Sequence, residues 1–152
     1  MSKKDKTNVM RVLEQKKVDY QAYEWDQVPK SSVDFPIYKT LVTYGKTGDH
    51  YVFVIPTEKY LDLKAAAKAV GEKNIHMLLE KDLLPLTGYV HGGCSPIGMK
   101  KQFVTVFDQS IKTFDQILFS AGKVGFAVQV SPKDLDRVLD YQLAMITKDK
   151  ED

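Results

Sequence analysis

Cysteine is nearly absent from this sequence, long apolar runs are missing, and no leader segment is apparent. The one cysteine, Cys94, cannot form an internal disulfide. The longest uncharged apolar stretches, such as residues 51–56, are far shorter than the roughly 20 residues that span a bilayer. Residues 1–6 are mostly charged and no apolar region follows them, so we expect no secretory signal. These scarcities favour a cytoplasmic protein with no membrane partner.

A strong net charge is missing as well. The 22 basic and 20 acidic residues leave +2, and the excess lies in residues 1–17, where six basic residues accompany two acidic ones. The rest of the chain is close to neutral, whereas a free-standing DNA-binding domain usually carries a strong basic stripe. We therefore predict no DNA partner. The basic N-terminal segment is interpreted either as a solvated helix face or as a salt-sensitive contact with a phosphate backbone.

What the chain does contain is enough apolar sequence for one domain. Its 152 residues are 43% apolar and 28% charged, and no repeat, low-complexity tract or Pro/Gly/Ser linker divides them. We predict a single domain over residues 1–152. Strand-like and helix-like segments are mixed without regular βαβ alternation, which predicts an α+β fold with a curved, barrel-like sheet and flanking helices.

The N-terminal half carries clear local signals. They predict, in chain order, a helix over residues 6–17 capped by Thr7 or Asn8, a strand from Val18, a loop over residues 29–36, a hairpin of strands 37–44 and 50–56, and a helix over residues 63–70. Asp62 can cap this last helix, and Gly71 follows it where a left-handed residue is favoured.

The C-terminal half is expected to hold two further helices and three strands. A short helix near residues 76–84 is predicted to stop at Pro85, and strands are predicted over residues 103–107, 116–119 and 125–130. The last helix has the strongest local signals, because Ser131 can cap it, Pro132 suits its first turn and Asp134 completes an acidic capping box. Its predicted apolar face comprises Leu135, Val138, Leu139, Gln142 and Ile146.

Lys39 is the first candidate functional residue. Strand alternation places it on one face with Ile37 and Leu41. A lysine between two apolar residues must extend its ammonium to an edge, pair with an anion or lie in a wet pocket. The first reading is structural, and the other two present an ammonium from a rigid strand to a phosphate or a developing oxyanion. Both interpretations stay open at this point.

The second candidate is a glycine-rich stretch over residues 86–98, which we call the glycine segment. Glycine allows positive φ and close approach of backbone N–H groups, so such a stretch can hold an anion or a terminal ribose, or can simply be a loop. It has neither the phosphate-loop nor the dinucleotide-binding spacing. A thiolate–imidazole pair of Cys94 and His91 is disfavoured because no carboxylate lies nearby in sequence to orient the histidine. The scattered histidines and single cysteine predict no metal site.

Four short segments then match a known pattern in order and spacing. They are Tyr38-Lys39-Thr40-Leu41-Val42, then Leu61-Asp62-Leu63-Lys64, then Thr87-Gly88-Tyr89 leading to residues 92–101, and finally residues 120–125. With these segments the chain resembles the YbaK/EbsC family of bacterial aminoacyl-tRNA deacylases, which are related to the editing domain of prolyl-tRNA synthetases. The chain departs from the family in a shorter segment over residues 27–37, in Val124 where an arginine is usual, and in Ala127 where an aspartate is common.

The resemblance implies a trans-editing hydrolase that needs no cofactor. Its implied substrate is a mischarged tRNA, above all Cys-tRNA(Pro), whose own cysteine thiol attacks the ester carbonyl. Implied partners are the aminoacylated 3′ end of tRNA and a prolyl-tRNA synthetase. The resemblance assigns Lys39 and Gly92 to catalysis and five residues to substrate binding, namely Tyr23, Thr40, Gly93, Ser95 and Ser120.

Two other functions stay open beside this one. The first is deacylation of another amino acid, such as alanine, by a positioned water. The second is a non-catalytic module that recognises tRNA ends or a synthetase, which the shortened segment before Lys39 favours. A panel of aminoacyl-tRNAs separates the two deacylases, and binding without hydrolysis identifies the module.

Overall fold

The computed structural model describes residues 6–25 and 36–150. The predicted loop over residues 29–36 falls outside this part of the chain, except for Pro36. The α-helices are α1 (Asn8–Gln15), α2 (Leu63–Val70) and α3 (Glu80–Thr87). The strands are β1 (Tyr20–Glu24), β2 (Tyr38–Gly45), β3 (His50–Pro56), β4 (Lys59–Leu61), β5 (Ile75–Met77), β6 (Val104–Asp108), β7 (Ile117–Ser120), β8 (Phe126–Val130), β9 (Gln142–Ala144) and β10 (Thr147–Asp149). Short 3₁₀ helices follow β6 and β8, at Gln109–Thr113 and Pro132–Arg137.

The described strands form three sheets. The largest has the order β5-β2-β3-β6-β9, in which β2 and β3 are the predicted antiparallel hairpin and β6 pairs in parallel with both β3 and β9. A second sheet has the order β1-β8-β7, and β4 pairs with β10 in a two-stranded ribbon. A parallel bridge between Ile37 and Leu118 joins the first two sheets. The predicted α+β class is confirmed, and the described strands do not close into a barrel.

The five-stranded sheet separates two apolar clusters. Alternating residues of β2 and β3 face opposite sides of the sheet, so each strand contributes to both clusters. One cluster joins Tyr38, Val42, Val52 and Val54 to the buried face of α1. The other joins Phe53 and Ile55 to Ala66 and Ala67 of α2 and to Ile146. Each sheet face is therefore covered by its own helix.

The predicted caps of the first two helices are confirmed. The Thr7 hydroxyl accepts from the Met10 N–H at 3.2 Å and begins α1. The Asp62 carboxylate accepts from the Lys64 and Ala65 N–H groups at 3.1 Å and begins α2. Gly71 ends α2 with φ of 75°, in the left-handed region that glycine favours. Local side-chain chemistry sets these helix ends.

The predicted helix over residues 76–84 is wrong at both ends. Residues 75–77 form β5, which pairs with residues 43–45 of β2, and α3 begins only at Glu80. Pro85 does not stop α3, which runs on to Thr87. In an α-helix the N–H of residue 85 would donate to the Lys81 carbonyl, and proline has no N–H to donate. Lys81 lies in the first turn and is exposed to water, so the loss of this one bond does not end the helix. Gly88, with φ of 87°, is the residue that ends the helix.

The predicted last helix is correct only at its start. The Ser131 hydroxyl accepts from the Lys133 N–H at 3.4 Å, but the helix is 3₁₀ and ends at Arg137. Residues 142–144 pair with β6 instead, and the Ile146 N–H donates to the buried Asp108 carboxylate at 3.2 Å. Ile146 thus enters the second cluster from the connection between β9 and β10. Pairing with β6 and β4 overrides the helical spacing of the apolar residues.

Among the described helices, none is both long enough and apolar enough to cross a membrane.

Candidate active site

A cavity of about 400 Å³ opens at the edge of β2, between β5 and β7. Its wall includes six consecutive residues of the β2 region, 37–42. The remaining wall residues come from five other parts of the chain: Trp25, Thr57, the stretch before and within α3 (Met77, Leu78, Glu80 and Leu83), the glycine segment (His91, Gly92 and Cys94), and Ser120.

The edge of β2 is open because two neighbouring strands pair with only its ends. Odd-numbered residues of β2 point their backbone groups at β3, as in the 2.9 Å bond from the Gly45 N–H to the Asp49 carbonyl. Even-numbered residues point the other way, where the Val42 carbonyl accepts from the Leu78 N–H at 3.0 Å. On that side β5 pairs with only residues 43–45, and β7 pairs with this part of the chain only through the bridge at Ile37. The N–H and C=O of Thr40 therefore face the gap, with no described strand beside them.

The Thr40 side chain adds a further unsatisfied group. Its hydroxyl oxygen is buried and has no hydrogen-bond partner among the described residues. A buried hydroxyl without a partner costs about 1–3 kcal/mol of stability. A ligand in the cavity that bonds to this hydroxyl would recover that cost, so Thr40 can offer a ligand both its backbone and its side chain.

Lys39 lies on the sheet face opposite to Thr40. It is in register with Ile55 of β3 and shares its face with Leu41, as the alternation predicts. Within residues 6–25 and 36–150, no carboxylate forms an ion pair with Lys39. Burial lowers the pKa of Lys39 from its ordinary value, and the nearby charge of Lys150 lowers it further. A partly desolvated ammonium that faces a like charge favours an anionic ligand.

Gly92 and Gly93 have different structural roles in the glycine segment. The Gly93 N–H donates to the Val90 carbonyl at 2.9 Å, and Gly92 has φ of 87°, as the third residue of a type II turn requires. A Cβ on Gly92 would meet only the Val124 side chain, at 3.8 Å, whereas a Cβ on Gly93 would lie 3.0 Å from the Val124 nitrogen. Gly92 thus needs positive φ, and Gly93 makes the close approach.

The structure brings together four of the seven predicted site residues. Lys39, Thr40, Gly92 and Ser120 line the cavity. The Ser120 hydroxyl accepts from the Gly122 N–H at 3.1 Å, which leaves its own proton available to a ligand.

The other three residues lie outside the cavity wall. The buried Ser95 hydroxyl accepts from the Ile97 N–H at 3.3 Å, the Tyr23 hydroxyl donates to the Gln129 side chain at 3.2 Å, and the Gly93 N–H is used within its turn. These groups hold the surrounding structure. Their predicted role in substrate binding stays a prediction.

Several wall residues were not predicted from the sequence, among them Trp25, Met77 and Glu80. Met77 belongs to β5 and Glu80 begins α3, so both reach the cavity because β5 pairs with β2. That long-range pairing has no local signal, and residues 76–84 look helical in isolation. Glu80 brings a carboxylate to the wall beside apolar neighbours.

Cys94 lines the cavity but is buried, and burial raises the pKa of its thiol to about 12. The group is therefore a thiol at neutral pH and a poor nucleophile, in agreement with the sequence-based interpretation. Among the described residues, no cluster of three His, Cys, Asp or Glu side chains could hold a metal ion. The site offers hydrogen bonds and one cation to a ligand.

Comparison with known proteins identifies a family and a close relative in sequence. Residues 28–138 match the aminoacyl-tRNA editing domain. A protein of Enterococcus faecalis, provisionally named Cys-tRNA(Pro)/Cys-tRNA(Cys) deacylase EbsC, is 44% identical, and the alignment covers 93% of each chain.

Two solved structures share the fold. The hypothetical protein APE2540 superposes with a TM-score of 0.82 at 20% identity, over 93% of this chain and all of that one. A structure provisionally described as a trans-editing enzyme for prolyl-tRNA synthetase superposes with a TM-score of 0.76 at 20% identity, over 93% of this chain and 98% of that one.

Proposed function

The chain belongs to the family of aminoacyl-tRNA editing domains, and we propose that it removes cysteine from mischarged tRNA(Pro) by hydrolysing the aminoacyl ester. The family match covers residues 28–138, and the relative with 44% identity is named for deacylation of cysteinyl-tRNA. The observation that carries the proposal is the chemistry of the cavity wall. It supplies a cation and unsatisfied polar groups for placing an ester, and its one thiol is held protonated.

An aminoacyl ester is already activated, so placement contributes more to its hydrolysis than a strong protein nucleophile does. The nucleophile in this proposal is the substrate's own thiol. A free thiol has a pKa of about 8.5, so a few per cent is thiolate at neutral pH. The sulfur forms a bond to the ester carbonyl carbon, and the carbon–oxygen bond to the ribose breaks. The ribose oxygen takes the electron pair and a proton, and water then opens the cyclic thioester to cysteine.

The wall residues have distinct roles in this scheme. The Lys39 ammonium stabilises negative charge, on the terminal phosphate or on the carbonyl oxygen as it becomes an oxyanion. The backbone and hydroxyl of Thr40, together with the Ser120 O–H, orient the ester and the amino group. Leu78 and Leu83 give the cysteine side chain an apolar surface. Gly92 leaves the cavity open where a side chain would fill it.

The protein acts together with a prolyl-tRNA synthetase in this proposal, and so in the cytoplasm. Its near-neutral charge supports this arrangement, because few phosphate contacts give weak tRNA affinity at physiological salt. A synthetase that holds the same tRNA would supply the missing affinity. The fold neighbour described as a trans-editing enzyme for prolyl-tRNA synthetase is consistent with such a partner.

Single-turnover hydrolysis of a panel of tRNA(Pro) molecules charged with different amino acids tests the proposal. The panel carries cysteine, serine, alanine and 2-aminobutyrate, and the last replaces the thiol by a methyl group of similar size. Thiol assistance predicts rapid loss of cysteine and near-background loss of the other three. The cysteine rate should rise with pH as the thiol ionises and level off above about pH 8.5. Equal rates for cysteine and 2-aminobutyrate would contradict thiol assistance, and no hydrolysis of any ester would contradict the deacylase.

A further inference from the structure

The β4–β10 ribbon carries an aromatic ring and two lysines on its outward face. Tyr60 is 47% exposed, and Lys148 lies directly opposite it in the antiparallel register. Directly opposed residues share a sheet face, and Lys150 follows on that face two residues later. The Lys150 Nζ lies 5.2 Å from the centre of the Tyr60 ring. We call these three residues the ribbon face.

The remaining charges of the ribbon are neutralised away from this face. Lys59 and Asp149 oppose each other in register and form an ion pair. Leu61, on the same side as that pair, is buried in the second cluster. The ribbon therefore presents positive charge and aromatic surface outward, and apolar surface inward.

The ribbon face is close to the cavity. Thr57 lines the cavity and Tyr60 comes three residues later, so their Cα atoms are at most about 11 Å apart. Lys150 is near enough to Lys39 for its charge to act on that side chain. A nucleic-acid strand that leaves the cavity past Lys39 would reach the ribbon within one or two nucleotide lengths.

The strand β10 lies outside the part of the chain that matches the editing domain, which ends at residue 138. Both lysines of the ribbon face therefore lie beyond the matched residues.

We propose that the ribbon face binds the single-stranded 3′ end of the tRNA, with a base on Tyr60 and phosphates at Lys148 and Lys150. Aromatic rings flanked by cations are the combination that binds single-stranded nucleic acid. Stacking of a base on Tyr60 displaces Lys150 from the ring, which is favourable because an exposed cation–π contact is weaker than base stacking. The inference rests on the proposed function, since the same tRNA end carries the ester into the cavity.

Binding of uncharged RNA hairpins tests the ribbon face independently of hydrolysis. One hairpin ends in the unpaired 3′ nucleotides of tRNA(Pro), and a matched hairpin is blunt. Tyr60→Ala should weaken binding of the first hairpin about tenfold. Tyr60→Phe should bind this hairpin as tightly as the parent does, because the ring remains. Lys148→Gln with Lys150→Gln should lower the slope of log affinity against log salt by about 1.4, the value for two single-strand phosphate contacts. Lys133→Gln, an exposed lysine in the 3₁₀ helix after β8, is the control and should change neither.

The outcomes separate this inference from the proposed function. Loss of binding in Tyr60→Ala, confined to the hairpin with the unpaired end, supports the ribbon face even if the parent hydrolyses no ester. Unchanged binding in the Tyr60 and lysine variants overturns the ribbon face, even if the parent deacylates Cys-tRNA(Pro). Equal effects on the blunt hairpin also overturn it, because they indicate a duplex contact. All substituted residues are exposed, and circular dichroism confirms that each variant is folded.

Discussion

Two walls of the cavity are built in different ways. The β2 wall, with Lys39 and Thr40, is held by a backbone ladder to β3 along its whole length. The glycine segment has no strand partner in the described residues. Isolated bonds hold it, including those from the Tyr89 hydroxyl to the Ile97 carbonyl and from the Asn8 side chain to the Gly98 carbonyl.

This difference decides what a side chain does in each wall. On β2 a side chain can change while the backbone keeps its place, because the ladder uses only main-chain groups. In the glycine segment the backbone is positioned by side chains and by left-handed glycines, so a substitution there moves the wall itself. Substitution of Lys39, which lies outside the two apolar clusters, should therefore alter chemistry at nearly constant stability, and substitutions in the glycine segment should alter both.

The largest effect is expected from Gly92→Val. A β-branched residue at a φ of 87° costs about 1–3 kcal/mol of strain, and its methyl groups would enter the cavity. We predict loss of measurable turnover with a modest fall in the unfolding free energy. Gly48→Val is the matched control, because Gly48 has φ of 92° in the β2–β3 turn with open space around it. The control should lose similar stability and keep its activity. A folded Gly92→Val protein with normal turnover would show that the segment is not part of the active wall.

Lys39→Ala should have the next largest effect, and only on chemistry. Removal of a preorganised charge at a developing oxyanion lowers the rate about 10²- to 10³-fold. The unfolding transition should hardly move, because no described carboxylate loses a partner. Lys39→Arg should also be slow, since a planar guanidinium does not replace a compact ammonium.

Single-turnover hydrolysis of Cys-tRNA(Pro) measures the Lys39 effect. Lys64→Ala, on the exposed surface of α2, serves as the control. Parental rates in the folded Lys39→Ala protein would mean that Lys39 only extends its ammonium to solvent.

The same two walls show what sequence reasoning could reach. The β2–β3 hairpin and α2 were predicted within a residue, because alternation, Asp62 and Gly71 are local signals. Lys39 and Thr40 follow from that strand. The predicted helix after Pro132 is wrong beyond Arg137, because the spacing of Leu135, Leu139 and Ile146 fits a helix while β6 and β4 offer strand partners that no local pattern reveals.

The glycine segment was recognisable by composition but not in its geometry. Its glycines indicated positive φ or close backbone approach. Only the turn that the Gly93 N–H closes shows which of these glycines faces the cavity. Trp25 and Met77 depend on packing between distant elements, so no local rule selects them as wall residues. Local chemistry predicts elements and caps, and long-range pairing decides which side chains meet.

Tyr89→Phe tests whether side chains position the glycine segment. The change leaves the buried Ile97 carbonyl without its donor, which costs about 1–3 kcal/mol. Each kcal/mol should lower the melting temperature by about 2–4 °C in a protein of this size. Turnover should fall by up to about 10²-fold because the wall shifts, while the pH profile keeps its shape. Tyr44→Phe, at an exposed tyrosine on β2, should change neither quantity. Unchanged melting and turnover in Tyr89→Phe would remove the contrast between the walls.

Lys150→Gln should move the alkaline side of the pH profile. The charge of Lys150 lowers the pKa of Lys39, so its removal raises that pKa and keeps the ammonium to higher pH. Activity that depends on the ammonium is lost as pH rises through the pKa of Lys39, so the alkaline limb of kcat/KM should shift upward. Lys133→Gln should leave the limb in place. An unchanged alkaline limb in Lys150→Gln would show that activity does not depend on the Lys39 ammonium.

Cys94 should matter least, although it lies in the cavity wall. Its buried thiol stays protonated at neutral pH, so its removal takes away no nucleophile. Cys94→Ala should hydrolyse Cys-tRNA(Pro) within a few-fold of the parent. Cys94→Ser should behave alike in rate but melt at a lower temperature, because a buried hydroxyl without a partner costs about 1–3 kcal/mol. A loss of about 10²-fold or more in both folded variants would identify Cys94 as the nucleophile, since removal of a nucleophile lowers kcat far more than a shift in packing. The glycine segment would then supply the nucleophile, and β2 would only position the substrate.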